Sequence, residues 1–116
     1  MEKKFKHGLI LGKFYPPHLG HFFLIDNGIK NCENLTVLVC TLDRENIPGN
    51  LRYKWIRQHC EESALRKSTN TLINVIHIHD NDLPQEPSER PDFWNIWCNL
   101  IKKNCPDIEA IFTSED

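Results

Sequence analysis

The stretch GLILGKFYPPHLGH, Gly8 to His21, decides how the rest of the chain is read. Its apolar run Gly8-Leu9-Ile10-Leu11 has the character of a buried strand, and the residues from Leu19 onward have that of a helix. Between them Gly12, Pro16 and Pro17 break and turn the chain. A strand that stops at a glycine and re-enters as a helix aims backbone N–H groups and the positive helix end at one point, which suits a phosphate. His18 and His21, three residues apart at the helix start, are expected to face that point.

Outward from this stretch, apolar β-rich runs alternate with helical patterns. Strands are expected at Gly8 to Leu11, Leu35 to Cys40, Leu72 to Ile78 and Ala110 to Thr113. A first helix should span Leu19 to Asn31. A second follows the turn Pro48-Gly49, with Asn50 as N-cap, and continues to about Arg66. From Pro91 onward, Phe93, Ile96, Trp97, Leu100 and Ile101 fall on one helical face. The order predicts an α/β fold, an open parallel sheet of about four strands with helices on both faces, forming one domain over residues 1–116. The Pro- and acid-rich stretch Asp80 to Asp92 reads as a long loop.

Ligands of open parallel sheets bind beyond the carboxyl ends of the strands. Every strand exit here is polar: Lys13, His18 and His21; then Thr41, Asp43 and Arg44; then His79 to Asp82; then Thr113 to Asp116.

Composition narrows the partners. A formal charge of −2 over 116 residues gives no long-range field toward nucleic acid. The basic start MEKKFKHG precedes an apolar run too short for a signal peptide, and no stretch reaches membrane-spanning length. The five cysteines are odd in number and lie mostly in apolar segments, with no CxxC pair, so they are expected to be buried free thiols in a reducing cytoplasm.

The segment GKFYPPHLGH resembles the HxGH signature of the nucleotidyltransferases, a Rossmann-like superfamily. Three further stretches extend the resemblance: Ile47-Pro48-Gly49 with Leu51, Arg52 and Trp55; PQEPSERPDFWNIW from Pro84 to Trp97; and Phe112 to Asp116. Together they resemble the adenylyltransferase domain of bacterial NadR-type proteins. That family joins ATP and nicotinamide mononucleotide into NAD and pyrophosphate, often with a ribosylnicotinamide kinase domain following.

The resemblance implies roles. His18 and His21 would be the catalytic pair, donating hydrogen bonds to the ATP phosphates. Gly12, Lys13, Phe14 and Gly20 would contact ATP, with Thr113, Ser114 and Glu115 bordering the adenosine. Phe14, Tyr15 and Trp94 would bind the mononucleotide. Mg2+ would arrive on the phosphates with much of its water shell, so no carboxylate cage for a metal is expected. The implied partners are ATP and nicotinamide mononucleotide, without nucleic acid or membrane, and a homo-oligomer is compatible with the reading.

Family members continue through another strand and helix to a motif of serine or threonine with arginine that grips the outer phosphates. The resemblance therefore implies a domain cut short at Asp116, with an exposed apolar patch, an unpaired strand edge and weak or no transferase activity of its own. The alternatives are a catalytically incomplete nucleotide-binding or regulatory module and another HxGH enzyme such as a cytidylyltransferase.

Plainer readings compete at several positions. His77 and His79, with Asp80 and Asp82, imitate a metal cluster but fit a strand end entering a polar loop better. Trp97 sits within the apolar helix face and is expected in the core. Arg52, near a helix start, is expected on the surface rather than at a phosphate. Lys13 reads equally as a solvated loop charge.

Overall fold

A computed structural model describes residues 3–67 and 69–112. Four strands, β1 (Phe5–Gly12), β2 (Cys32–Thr41), β3 (Leu72–His79) and β4 (Ala110–Phe112), form one parallel sheet in the order β3-β2-β1-β4. Three helices connect them: α1 (Leu19–Asn31), α2 (Gly49–Lys67) and α3 (Phe93–Asn104). The expected α/β sheet is present.

Strand order and handedness place the helices. The chain steps β1 to β2 to β3 in one direction, then crosses back past β1 to β4. With right-handed crossovers, α1 and α2 cover one face and α3 the other. The core divides accordingly. Ile25 and Ile29 of α1 and Ile56 and Cys60 of α2 pack on Ile10, Leu35, Val37 and Val39, whereas Trp97 and Ile101 of α3 pack on Leu9, Leu38 and Cys40. Because β2 is covered on both faces, its residues Leu35 to Thr41 are all buried, which explains the continuous apolar run. The reversal point lies between β1 and β4, where such sheets open a crevice.

Strands β1 and β2 extend beyond the expected Gly8 to Leu11 and Leu35 to Cys40, and two helix starts moved for local reasons. The second helix begins at Gly49 because the Pro48 carbonyl accepts from the Leu51 and Arg52 amides, 3.2 and 3.3 Å, so Asn50 lies inside the first turn rather than capping it. The third begins at Phe93; Pro91 lies in the turn before it, and the loop from Asp80 holds a short 3₁₀ turn at Pro87–Glu89. Cys32, Cys40, Cys60 and Cys105 are buried and free, and burial pushes the Cys40 and Cys60 thiols up to about 12, whereas Cys98 is exposed. No helix among the described residues is long and apolar enough to cross a membrane.

Candidate functional site

The helix start after β1 is capped by histidine. His18 is the N-cap of α1, and its Nδ1 accepts the Gly20 amide at 3.1 Å; the His18 amide in turn donates to Nδ1 of His21 at 3.2 Å. This reciprocal pattern is that of a capping box, with imidazoles where a hydroxyl and a carboxyl usually stand. An Nδ1 that accepts an N–H carries no proton, so the neutral form of each ring bears its proton on Nε2. The two rings stack, centroids 3.8 Å apart and planes 26° from parallel. Gly20 permits this: a Cβ there would lie 2.9 Å from His18 Cε1 and 3.0 Å from its Nδ1.

Phe14 forms the floor. Its φ of 51° is a left-handed conformation that bulky residues rarely adopt, its ring is 2% exposed, and it meets the His21 ring edge-on at 4.9 Å. Gly12 allows the ring to fold back, since a Cβ there would sit 3.2 Å from Phe14 Cζ. A cleft of ≈ 470 Å³ opens over this turn, lined by Gly12, Lys13, Phe14, Tyr15, His18 and His21 among others. The sequence-predicted β1-exit residues are thus brought together. Gly20 supports the site from beneath the His18 ring.

Arg52 corrects the surface expectation. Its side chain is fully buried, because α2 turns it inward beneath the β1–α1 turn. Nη1 donates to the Lys13 carbonyl at 3.1 Å, Nη2 to Glu45 Oε1 at 2.7 Å, and the guanidinium lies 5.1 Å from the centre of the Tyr15 ring. Glu45 Oε1 also accepts the Leu42 amide at 2.9 Å, and its Oε2 pairs with Lys13 Nζ at 3.0 Å. Burial opposes ionisation of Glu45, but the Leu42 N–H, Lys13 and Arg52 outweigh it and hold the carboxyl below its usual range. Lys13 is therefore neither a free loop charge nor committed to the cleft alone. Tyr15 is fixed at its far end, where the hydroxyl accepts the Asn46 amide at 2.5 Å.

A second cleft of ≈ 560 Å³ lies beyond β2 and β3, bordered by Asp43, Glu45, Gly49, His77 and His79. His77 Nε2 and His79 Nδ1 both reach Thr41 Oγ1 at 2.7 Å, His79 Nε2 reaches Asp43 Oδ1 at 2.8 Å, and Tyr53 stacks on His77. Burial, followed by the charges of His79 and Arg52, lowers the His77 pKa. Bonds from Asn81 and then His79 lower that of exposed Asp43. Asp80 instead accepts the Asp82 amide at 2.9 Å, so the four residues are spent on a strand-end bridge and a turn.

The remaining expectations are scattered. Trp97 is partly buried and donates Nε1 to the Pro84 carbonyl at 3.0 Å, as its core position suggested. Trp94 is 67% exposed, packed edge-on against Phe93, and does not line the β1 cleft. Thr113, Ser114 and Glu115 lie outside the described residues, although β4, which precedes them, pairs with β1. Sequence reasoning passed over Glu45, which carries no motif, and named Thr41 only as one of the polar residues at the exit of β2.

No family model matches the chain. Among curated proteins it is similar to the trifunctional NAD biosynthesis/regulator protein NadR of Escherichia coli (strain K12), 30% identical over 129 aligned positions covering 94% of this chain and 28% of the relative. Among solved structures it is similar to NadR protein in complex with NAD and AMP-PNP, with a TM-score of 0.64, 23% identity, and coverage of 98% of this chain and 33% of the other. The chain therefore spans about a third or less of either relative's length.

Proposed function

We propose that this NadR-like chain binds ATP over the β1–α1 turn and serves adenylyl transfer to nicotinamide mononucleotide, giving NAD and pyrophosphate. The observation that carries the reading is the His18/His21 stack at the start of α1, with both rings lining the cleft and both Nδ1 atoms occupied by backbone amides. The fold likeness to a NadR bound to NAD and AMP-PNP, and the similarity to an NAD biosynthesis protein, support the same chemistry.

A phosphate oxygen of the mononucleotide attacks the α-phosphorus of ATP. The bond from that phosphorus to the bridging oxygen breaks, and the electron pair leaves with pyrophosphate. Such a transfer needs alignment and charge stabilisation rather than a covalent intermediate. The Nε2–H of His18 and His21 would donate to the phosphates, with the helix start adding its positive end. Lys13 would share its ammonium between Glu45 and the polyanion. Phe14 and Tyr15 would border the mononucleotide, and Trp94, Thr113, Ser114 and Glu115 are retained as contacts to be tested. No three His, Cys, Asp or Glu side chains among the described residues are arranged to hold a metal. Mg2+, when bound, would neutralise the triphosphate from a shell of phosphate and water oxygens.

The deciding experiment incubates the chain with labelled ATP, Mg2+ and one acceptor at a time: nicotinamide mononucleotide, phosphopantetheine or glycerol phosphate. NAD formation with the first supports the proposal. Product with either other acceptor reassigns the enzyme, nucleotide binding without product favours a binding or regulatory module, and absence of binding overturns the reading.

A further inference from the structure

Phe14 is held in a left-handed conformation that is strained for a non-glycine residue, so something must hold it. The angle φ of Phe14 sets the orientation of the Lys13–Phe14 peptide, whose carbonyl is the acceptor of Arg52 Nη1 at 3.1 Å. Turning that residue to negative φ would swing the carbonyl off the guanidinium. The same guanidinium lies over the Tyr15 ring, so it grips the turn on both sides of Phe14. Its Nε has no hydrogen-bond partner among the described residues, which leaves the two Nη bonds and the ring as its attachments.

From Phe14 the contacts run directly to the histidines. Its ring meets His21 edge-on at 4.9 Å, and His21 stacks on His18 at 3.8 Å. We propose that Arg52, neutralised by Glu45, is the positioning residue of the two-histidine site: by fixing the Lys13 carbonyl and the Tyr15 ring it holds Phe14 under His21 and thereby sets both imidazoles. Arg52 touches no substrate in this role. A lysine cannot replace it, since one ammonium cannot span the Lys13 carbonyl, Glu45 and an aromatic face with a planar fork. The proposal deepens the ATP-binding reading but has a readout independent of it.

The test uses Arg52→Lys in the full chain, with two measurements. Nuclear magnetic resonance follows the ring and Nε2–H signals of His18 and His21 without ligand, and calorimetry follows Mg2+-AMP-PNP. Arg52→Lys is expected to shift the ring signals, to lose the contact between the two rings, and to weaken AMP-PNP at least about tenfold, as an error near 1.4 kcal/mol in donor placement would. Ring signals matching the parent overturn the positioning role. If the parent itself fails to bind AMP-PNP, the functional reading falls while the ring signals still decide this one. Should Arg52→Lys not fold, Tyr15→Leu decides: it removes the aromatic ring that the guanidinium holds, and displaced histidine ring signals support the role whereas parental ones overturn it.

Discussion

The imidazole of His18 stacks on that of His21 at 3.8 Å, and each Nδ1 is occupied by a backbone amide of the same helix start. The histidines therefore cap α1 through one nitrogen and, when neutral, bear the proton on the other, which makes capping and the proposed ligand binding separable by mutation.

Asparagine is a good N-cap but cannot place a donor where Nε2 lies. His18→Asn is expected to keep stability within about 0.5 kcal/mol of the parent, whereas His18→Ala loses about 1 kcal/mol with the cap. Both should lose most of the affinity for Mg2+-AMP-PNP. Denaturant titration alongside calorimetry checks the split, and parental affinity in His18→Asn would remove His18 from the site.

Gly20→Ala places a methyl 2.9 Å from His18 Cε1, and the ring must move because the helix backbone cannot. Alanine favours a helix over glycine by up to about 1 kcal/mol, which offsets the cap lost when the ring moves, so stability is expected to stay within about 1 kcal/mol of the parent while nucleotide affinity falls. A crystal structure or ring-contact measurement of the variant would show the displaced imidazole.

Glu45 is the counter-charge of a fully buried guanidinium. Glu45→Gln strands that charge and is expected to cost about 3–5 kcal/mol by denaturant unfolding. Since the Glu45 pKa is lowered on folding, its contribution is fully present above its unfolded value of about 4.3 and is lost as pH falls through the lower folded value.

His77 titrates in the same direction but in a higher window. Burial, with His79 and Arg52 nearby, lowers its folded pKa, so below about pH 6.5 the unfolded chain binds a proton that the folded chain refuses. Stability should decline on acidification from that point down to the folded value. His77→Gln is expected to flatten this part of the stability–pH curve measured by thermal unfolding.

Trp94 is exposed, so Trp94→Ala should change stability by no more than about 0.5 kcal/mol. If its ring covers the mononucleotide base, affinity for nicotinamide mononucleotide falls in the variant. Equal affinity would assign Trp94 to the surface alone.

Strand and helix order were legible in the chain because they rest on local periodicity and on turn residues. Leu19 to Asn31 forms the expected helix without adjustment, and the apolar run at Ala110 to Phe112 forms the expected fourth strand. The pairing of His18 with His21 was legible for the same reason, since three residues at a helix start fix which side chains meet. Asn50 shows the limit of that logic: a capping residue type next to a turn was displaced by the carbonyl of Pro48.

What the tertiary structure decided was the fate of charge. Sequence composition assigns an arginine in a first helical turn to solvent, and only the approach of three separate segments makes its burial affordable. Lys13 comes from the β1 exit, Glu45 from the β2 exit and Arg52 from α2; their compensation exists only once the sheet places those exits side by side. Local sequence thus determined that the stacked imidazoles of the candidate site stand at the start of α1. The long-range electrostatic closure around Arg52 determined how the turn beneath that site is held.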